Sequence, residues 1–66
     1  MEYTNSQIKE IISEWIHSAR DREINIRRYT EGMTYEQLAE VFDMSVSQIK
    51  RIIYRDAFVI FRHIPP

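Results

Sequence analysis

An all-α fold is predicted for this chain by three observations. Apolar residues recur at three- and four-residue steps over most of its length, and no stretch alternates as a strand does. Hydroxyl residues followed three places later by glutamine, Thr34 with Gln37 and Ser45 with Gln48, mark helix starts. With 66 residues and a single glycine, the chain has room for one domain and little loop. The expectation is a four-helix compact domain with helices at roughly 5–19, 21–31, 34–42 and 45–62.

The first helix rests on Ile8, Ile11, Ile12, Trp15, Ile16 and Ala19, which share a face, while Lys9, Glu10, Ser13, Glu14 and His17 take the other. Thr4 or Asn5 can cap it, and Trp15 reads as a core residue. In the second, Ile24 and Tyr29 point inward and Arg22, Arg27 and Arg28 outward, with Gly32 ending it as a left-handed C-terminal residue. The ends, residues 1–4 and 64–66, read as frayed.

The third and fourth helices, in TYEQLAEVFDMSVSQIKRIIY at 34–54, have the features of a helix-turn-helix. Leu38 and Phe42 lie one turn apart on the inner face, and Ala39 is the small residue that lets the second helix approach. Asp43 takes the turn position where glycine is most usual; a left-handed backbone there is tolerable for Asp. Met44 is expected beneath the turn, and Ile49, Ile52 and Ile53 form the apolar stripe of the second helix.

The segment RDREINIRRYTEGMTYEQLAEVFDMSVSQIKRII, 20–53, resembles region 4 of bacterial sigma factors and related small phage or mobile-element regulators. The resemblance is carried by Arg22 with Glu23, by Arg28 with Tyr29, by Gly32 and by the helix-turn-helix that follows. It implies that the last helix enters the major groove of promoter DNA and that the surrounding surface touches RNA polymerase. Asp43 departs from the family's glycine. No region 2 precedes the module, so a full sigma factor is not expected.

Charge supports a nucleic-acid face only through its distribution. The formal net charge is -1 and the pI about 6.1, whereas dedicated DNA binders are often strongly basic. Residues 1–44 carry five basic against nine acidic side chains, and residues 45–66 carry four against one. The positive half is therefore the proposed reading helix. On it, Val46, Ile49, Ile53 and Ile60 lie to one side, and Ser47, Arg51, Tyr54, Arg55 and Arg62 to the other.

The first turns of a recognition helix commonly meet base edges, so Ser45, Ser47, Gln48, Lys50 and Arg51 are the candidates for base or nearby phosphate contact. Gln48 suits adenine and Arg51 or Lys50 guanine, although the capping role of Gln48 explains it equally well. Arg55 is expected to clamp a phosphate further along. Thr34, Tyr35 and Gln37, at the start of the preceding helix, face a phosphate oxygen, and Arg27 and Arg28 are placed to touch flanking backbone. Tyr29, Tyr35 and Tyr54 also read as packing residues with a wet hydroxyl.

The apolar run at 57–61, AFVIF, must be covered on more than one side. Ile60 and Val59 are expected to return to the face of Ile8, Ile12 and Trp15. Phe58 and Phe61, pointing away from it, are expected to meet a twin helix, as in a homodimer, or another protein. Two reading helices would then meet an inverted-repeat site.

Other chemistry finds little support. Glu14 and His17 have the Glu-x-x-His spacing of carboxylate-bridged metal helices, with Glu10 a turn earlier, but no second pair exists and no metal is expected. Without cysteine or a glycine-rich phosphate loop, the chain is read as neither an enzyme nor a cofactor binder. No apolar run reaches membrane-spanning length and the N-terminus lacks a signal-peptide pattern, which predicts a cytoplasmic protein. The expected partners are double-stranded DNA and, on the resemblance, RNA polymerase. The main rival to a DNA-binding regulator is a module of the same type that binds polymerase or another protein and contacts DNA weakly.

Overall fold

The computed structural model describes residues 4–64; of the ends expected to fray, residues 1–3 and 65–66 lie outside that range, whereas Thr4 caps a helix and Ile64 packs on an apolar cluster. Its four helices are α1 (Asn5–Trp15), α2 (Ala19–Glu31), α3 (Tyr35–Phe42) and α4 (Val46–Arg62), and the described residues contain no strand. The all-α expectation therefore holds. No helix among the described residues is long and apolar enough to cross a membrane.

A hydroxyl begins every helix. Thr4, Ser18, Thr34 and Ser45 each accept a backbone amide from three residues on. At Thr4, Thr34 and Ser45 the glutamine at that position also reaches back to the cap amide, completing a capping box. Thr4 is thus an ordered cap. Gly32 and Asp43 both adopt the left-handed conformation, at φ 67° and 54°. The Met44 amide donates to the Ala39 carbonyl at 2.9 Å, the six-to-one bond of a Schellman turn. A helix-turn-helix normally bends here on glycine; Asp43 makes the same bend at a modest conformational cost.

The first helix is shorter than its apolar periodicity predicts. It ends at Trp15, not Ala19, because Ile16 turns to extended backbone and the Ser18 hydroxyl opens α2. Arg22 then donates to the carbonyls of Ile16 and His17 at 3.2 and 3.4 Å, closing the link. Ala19 falls in α2 and is exposed. His17 lies in the link, so the helical Glu-x-x-His spacing with Glu14 is not realised.

Two apolar clusters hold the helices. Ile24, Leu38, Ala39, Ile49, Ile52 and Ile53 form the first, bordered by Met33, Tyr35, Phe42, Met44 and Val46. Met44 thus lies under the turn, as its position predicts. The second joins Ile12 and Ile16 to Ile60, with Ile8, Ile11, Ile26, Tyr29, Val59 and Ile64 around them. Each fully buried Leu or Ile contributes roughly 1.5–3 kcal/mol relative to exposure. The return of Ile60 and Val59 to α1 is as expected, except at Trp15. That indole is 41% exposed, and its ring stacks on His63 at 3.7 Å with the planes 3° apart. Ile16 takes the interior place instead.

Candidate nucleic-acid interface

The first cluster fixes α4 across α3, so the residues of α4 opposite Ile49, Ile52 and Ile53 project outward. Ser47, Lys50, Arg51 and Tyr54 are all exposed. At 3.6 residues per turn, Ser47, Arg51, Tyr54, Phe58 and Phe61 share one stripe along the helix. Its first half is polar and basic, and its second half is aromatic.

Several candidate polar groups are already engaged. The Thr34 hydroxyl accepts the Gln37 amide at 3.1 Å, and the Thr34 amide donates to Gln37 Oε1 at 2.8 Å. Ser45 and Gln48 repeat this at 3.1 and 2.9 Å. Reading adenine takes both the oxygen and the nitrogen of a glutamine amide. The Gln48 oxygen serves the cap, so its free nitrogen alone faces outward chemistry. Opening the cap costs about 1 kcal/mol.

Arg55 is tied down more firmly than its place on the polar arc implies. Its Nη2 donates to Asp21 Oδ2 at 2.6 Å and its Nε to Asp56 Oδ1 at 3.0 Å. Asn25 Nδ2 donates to the other Asp56 oxygen and to the Asp21 carbonyl, both at 2.8 Å. Asp21, Asn25 and Asp56 are buried, whereas the Arg55 side chain remains 60% exposed. Its bonds to Asp56 and Asp21 hold the guanidinium above its ordinary pKa. Arg55 therefore latches α4 to α2 through Nε and Nη2. This network escaped the sequence reading, yet a signal was present: Asp56 is the only acid in the basic half, and Asn25 sits one turn after Asp21.

The other arginines divide in the same way. Arg27 pairs with Glu23 at 2.9 Å and lies over the Phe42 ring at 5.7 Å. Arg28 bonds the Met33 carbonyl at 2.8 Å and stacks on Tyr35 at 4.4 Å. Tyr35 also receives Lys50 at 5.7 Å and the edge of Tyr54 at 6.3 Å. Arg51 has no ion pair among the described residues. The stripe ends on Phe58, 81% exposed, and Phe61, 56% exposed, whose ring meets Tyr29 edge-on at 5.8 Å.

A family model, sigma-70 region 4, matches residues 18–58, from the cap of α2 into the second half of α4. No curated protein and no solved structure matches the chain. The matched span contains the whole first cluster, both left-handed turns and every candidate residue from Thr34 to Phe58. Fold, turn geometry and match agree: the chain belongs to the sigma-70 region 4 family, and its helix-turn-helix is of the DNA-binding type.

Proposed function

We infer that the chain is a sequence-specific double-stranded DNA binder that serves as a small transcriptional regulator or as a phage or mobile-element protein. The observation that carries this reading is the basic half of the α4 stripe, where Ser47, Lys50 and Arg51 stand exposed on a helix fixed by the first cluster. In this mechanism the N-terminal half of α4 lies in the major groove. Arg51 donates to guanine O6 and N7, and Ser47 meets a neighbouring base edge. Lys50 and the start of α3, at Thr34 and Tyr35, follow the phosphate backbone. Gln48 keeps its cap, and Arg55 ties α4 to α2 beside the reading face. No catalytic step or cofactor belongs to this reading, and work on promoter DNA puts the chain in the cytoplasm.

Binding to duplexes selected from a random library, measured against salt, tests it. Affinity should fall steeply with salt, and Lys50→Ala should lower the slope by about one contact. Arg51→Ala should cost roughly 1–3 kcal/mol at one base position. Variants that bind selected and random duplexes like the parent would sink the groove assignment.

The aromatic half of the same stripe supports a second contact. We assign it to a second copy of the chain, because it continues directly from the reading face and a two-fold pair would set two reading halves side by side. A parent monomeric in sedimentation at every concentration, with or without DNA, removes the dimer. Family membership favours polymerase as the rival occupant. Capture of RNA polymerase without DNA, lost on Phe58→Ala, would support the rival.

A further inference from the structure

We propose that Tyr35 is a positioning residue: its ring gathers Arg28 and Lys50 into a two-cation clamp for one stretch of phosphodiester backbone. The proposal rests on the DNA-binding reading above and names how that surface is organised. Tyr35 is the first residue of α3, half-buried against the first cluster, so its ring is anchored from below. Three helices meet on it. Arg28 comes from the last turn of α2, with its guanidinium 4.4 Å from the ring centroid, and Lys50 from α4, with its ammonium at 5.7 Å. Tyr54 closes the arrangement edge-on at 6.3 Å.

Two cations on separate helices would ordinarily move apart and spread into solvent. The negative face of an aromatic ring attracts both, within the distance at which such attraction operates. Arg28 is further restrained by its bond to the Met33 carbonyl at 2.8 Å. That bond occupies one of five guanidinium donors and leaves the rest for a ligand. Neither Arg28 nor Lys50 pairs with a carboxylate among the described residues, whereas Arg20, Arg27 and Arg55 all do. The charge at Tyr35 is therefore concentrated, held and unneutralised, and it adjoins the start of α3 and the reading half of α4. A polyanion with regularly spaced phosphates matches it. Because the clamp touches no base edge, it adds affinity on every sequence and discrimination on none.

Tyr35→Leu keeps apolar packing and removes the ring, and Tyr35→Phe keeps the ring and removes the hydroxyl. Tyr35→Leu should weaken binding to selected and random duplexes alike by about tenfold and lower the salt slope by between one and two contacts. Tyr35→Phe should bind like the parent. Adding Lys50→Ala to Tyr35→Leu should cost less than Lys50→Ala alone, since the two changes remove one arrangement. The parent protein supplies a readout that needs no variant: the side-chain protons of Arg28 and Lys50 should be shifted upfield in NMR spectra by the Tyr35 ring. Unshifted protons in the parent overturn the clamp. So does a folded Tyr35→Leu with parental affinity and slope while Lys50→Ala and Arg28→Ala weaken binding, a result that leaves the DNA reading standing. Parental binding by Arg28→Ala, Lys50→Ala and Arg51→Ala together would remove the DNA reading and the clamp with it.

Discussion

The two apolar clusters are built on different terms. The first draws six buried residues from three helices, and both left-handed turns and two capping boxes fix the chain around it. All of it lies within the span shared with sigma-70 region 4. The second has three buried isoleucines, each outside that span, and its border of Ile8, Ile11, Val59 and Ile64 is only partly covered. The contrast separates a motif from its brace. The first cluster sets the angle between α3 and α4, and the second holds the long C-terminal half of α4 against α1.

Substitutions can break or sharpen that contrast. Leu38→Ala should have the largest effect, toward the upper part of the roughly 2–5 kcal/mol range for such truncations, because its surroundings are pinned and cannot collapse into the cavity. In a domain this small, that should leave the chain largely unfolded in denaturant titrations at 37 °C. Ile12→Ala removes similar volume beside a rim that can relax, so its cost should fall nearer 2 kcal/mol. At low temperature this variant should still bind duplex DNA; equal losses from the two substitutions would mean that the clusters form one cooperative core.

Asp56→Ala tests the seam between α2 and α4. It leaves the buried Asn25 amide short of an acceptor and Arg55 without one carboxylate, for an expected loss of about 1–3 kcal/mol in urea unfolding. Asp43→Gly, at the exposed turn, should have a smaller effect and of opposite sign, stabilising by about 1 kcal/mol or less as the left-handed strain is relieved. A marked destabilisation would assign the Asp43 side chain a role beyond its backbone. Phe58→Ala with Phe61→Ala should give the smallest loss, lowering the unfolding free energy of a dilute monomer by about 1 kcal/mol or less, since both rings are mainly exposed. A larger loss would place them in the second cluster.

The motif was legible in the sequence because its signals are local. A capping box needs four residues, a left-handed turn one, and a helical face its own spacing. That sufficed for the helix-turn-helix, for Gly32 and Asp43, and for the return of Ile60 to α1. Two errors came from the same local logic. Ile16 and Ala19 continue the α1 periodicity beyond the point where Ser18 and Arg22 end the helix, and Trp15 looked interior because an aromatic at that spacing usually is. The buried network left only a faint signal, the lone acid Asp56 and the spacing of Asp21 and Asn25, which does not say which residues meet. Its bonds join Asn25 to Asp56 and Asp21 to Arg55, 31 and 34 residues apart, and nothing in Arg55 itself distinguishes a latch from a phosphate contact. Likewise, Tyr35 reads in the sequence as a packing side chain or a phosphate contact at a helix start, and its hold on Arg28 and Lys50 is visible only once the fold brings them to its ring.

The stack of Trp15 on His63 has a practical side. Trp15 is the only tryptophan in the chain, and it reports from the far end of α4, about 18 Å along the helix from Arg51. Its emission is therefore an optical gauge of whether α1 and the end of α4 are closed on each other. A change in its fluorescence on adding DNA, absent from the Arg51→Ala variant, would therefore link occupancy of the reading half to that end of the molecule.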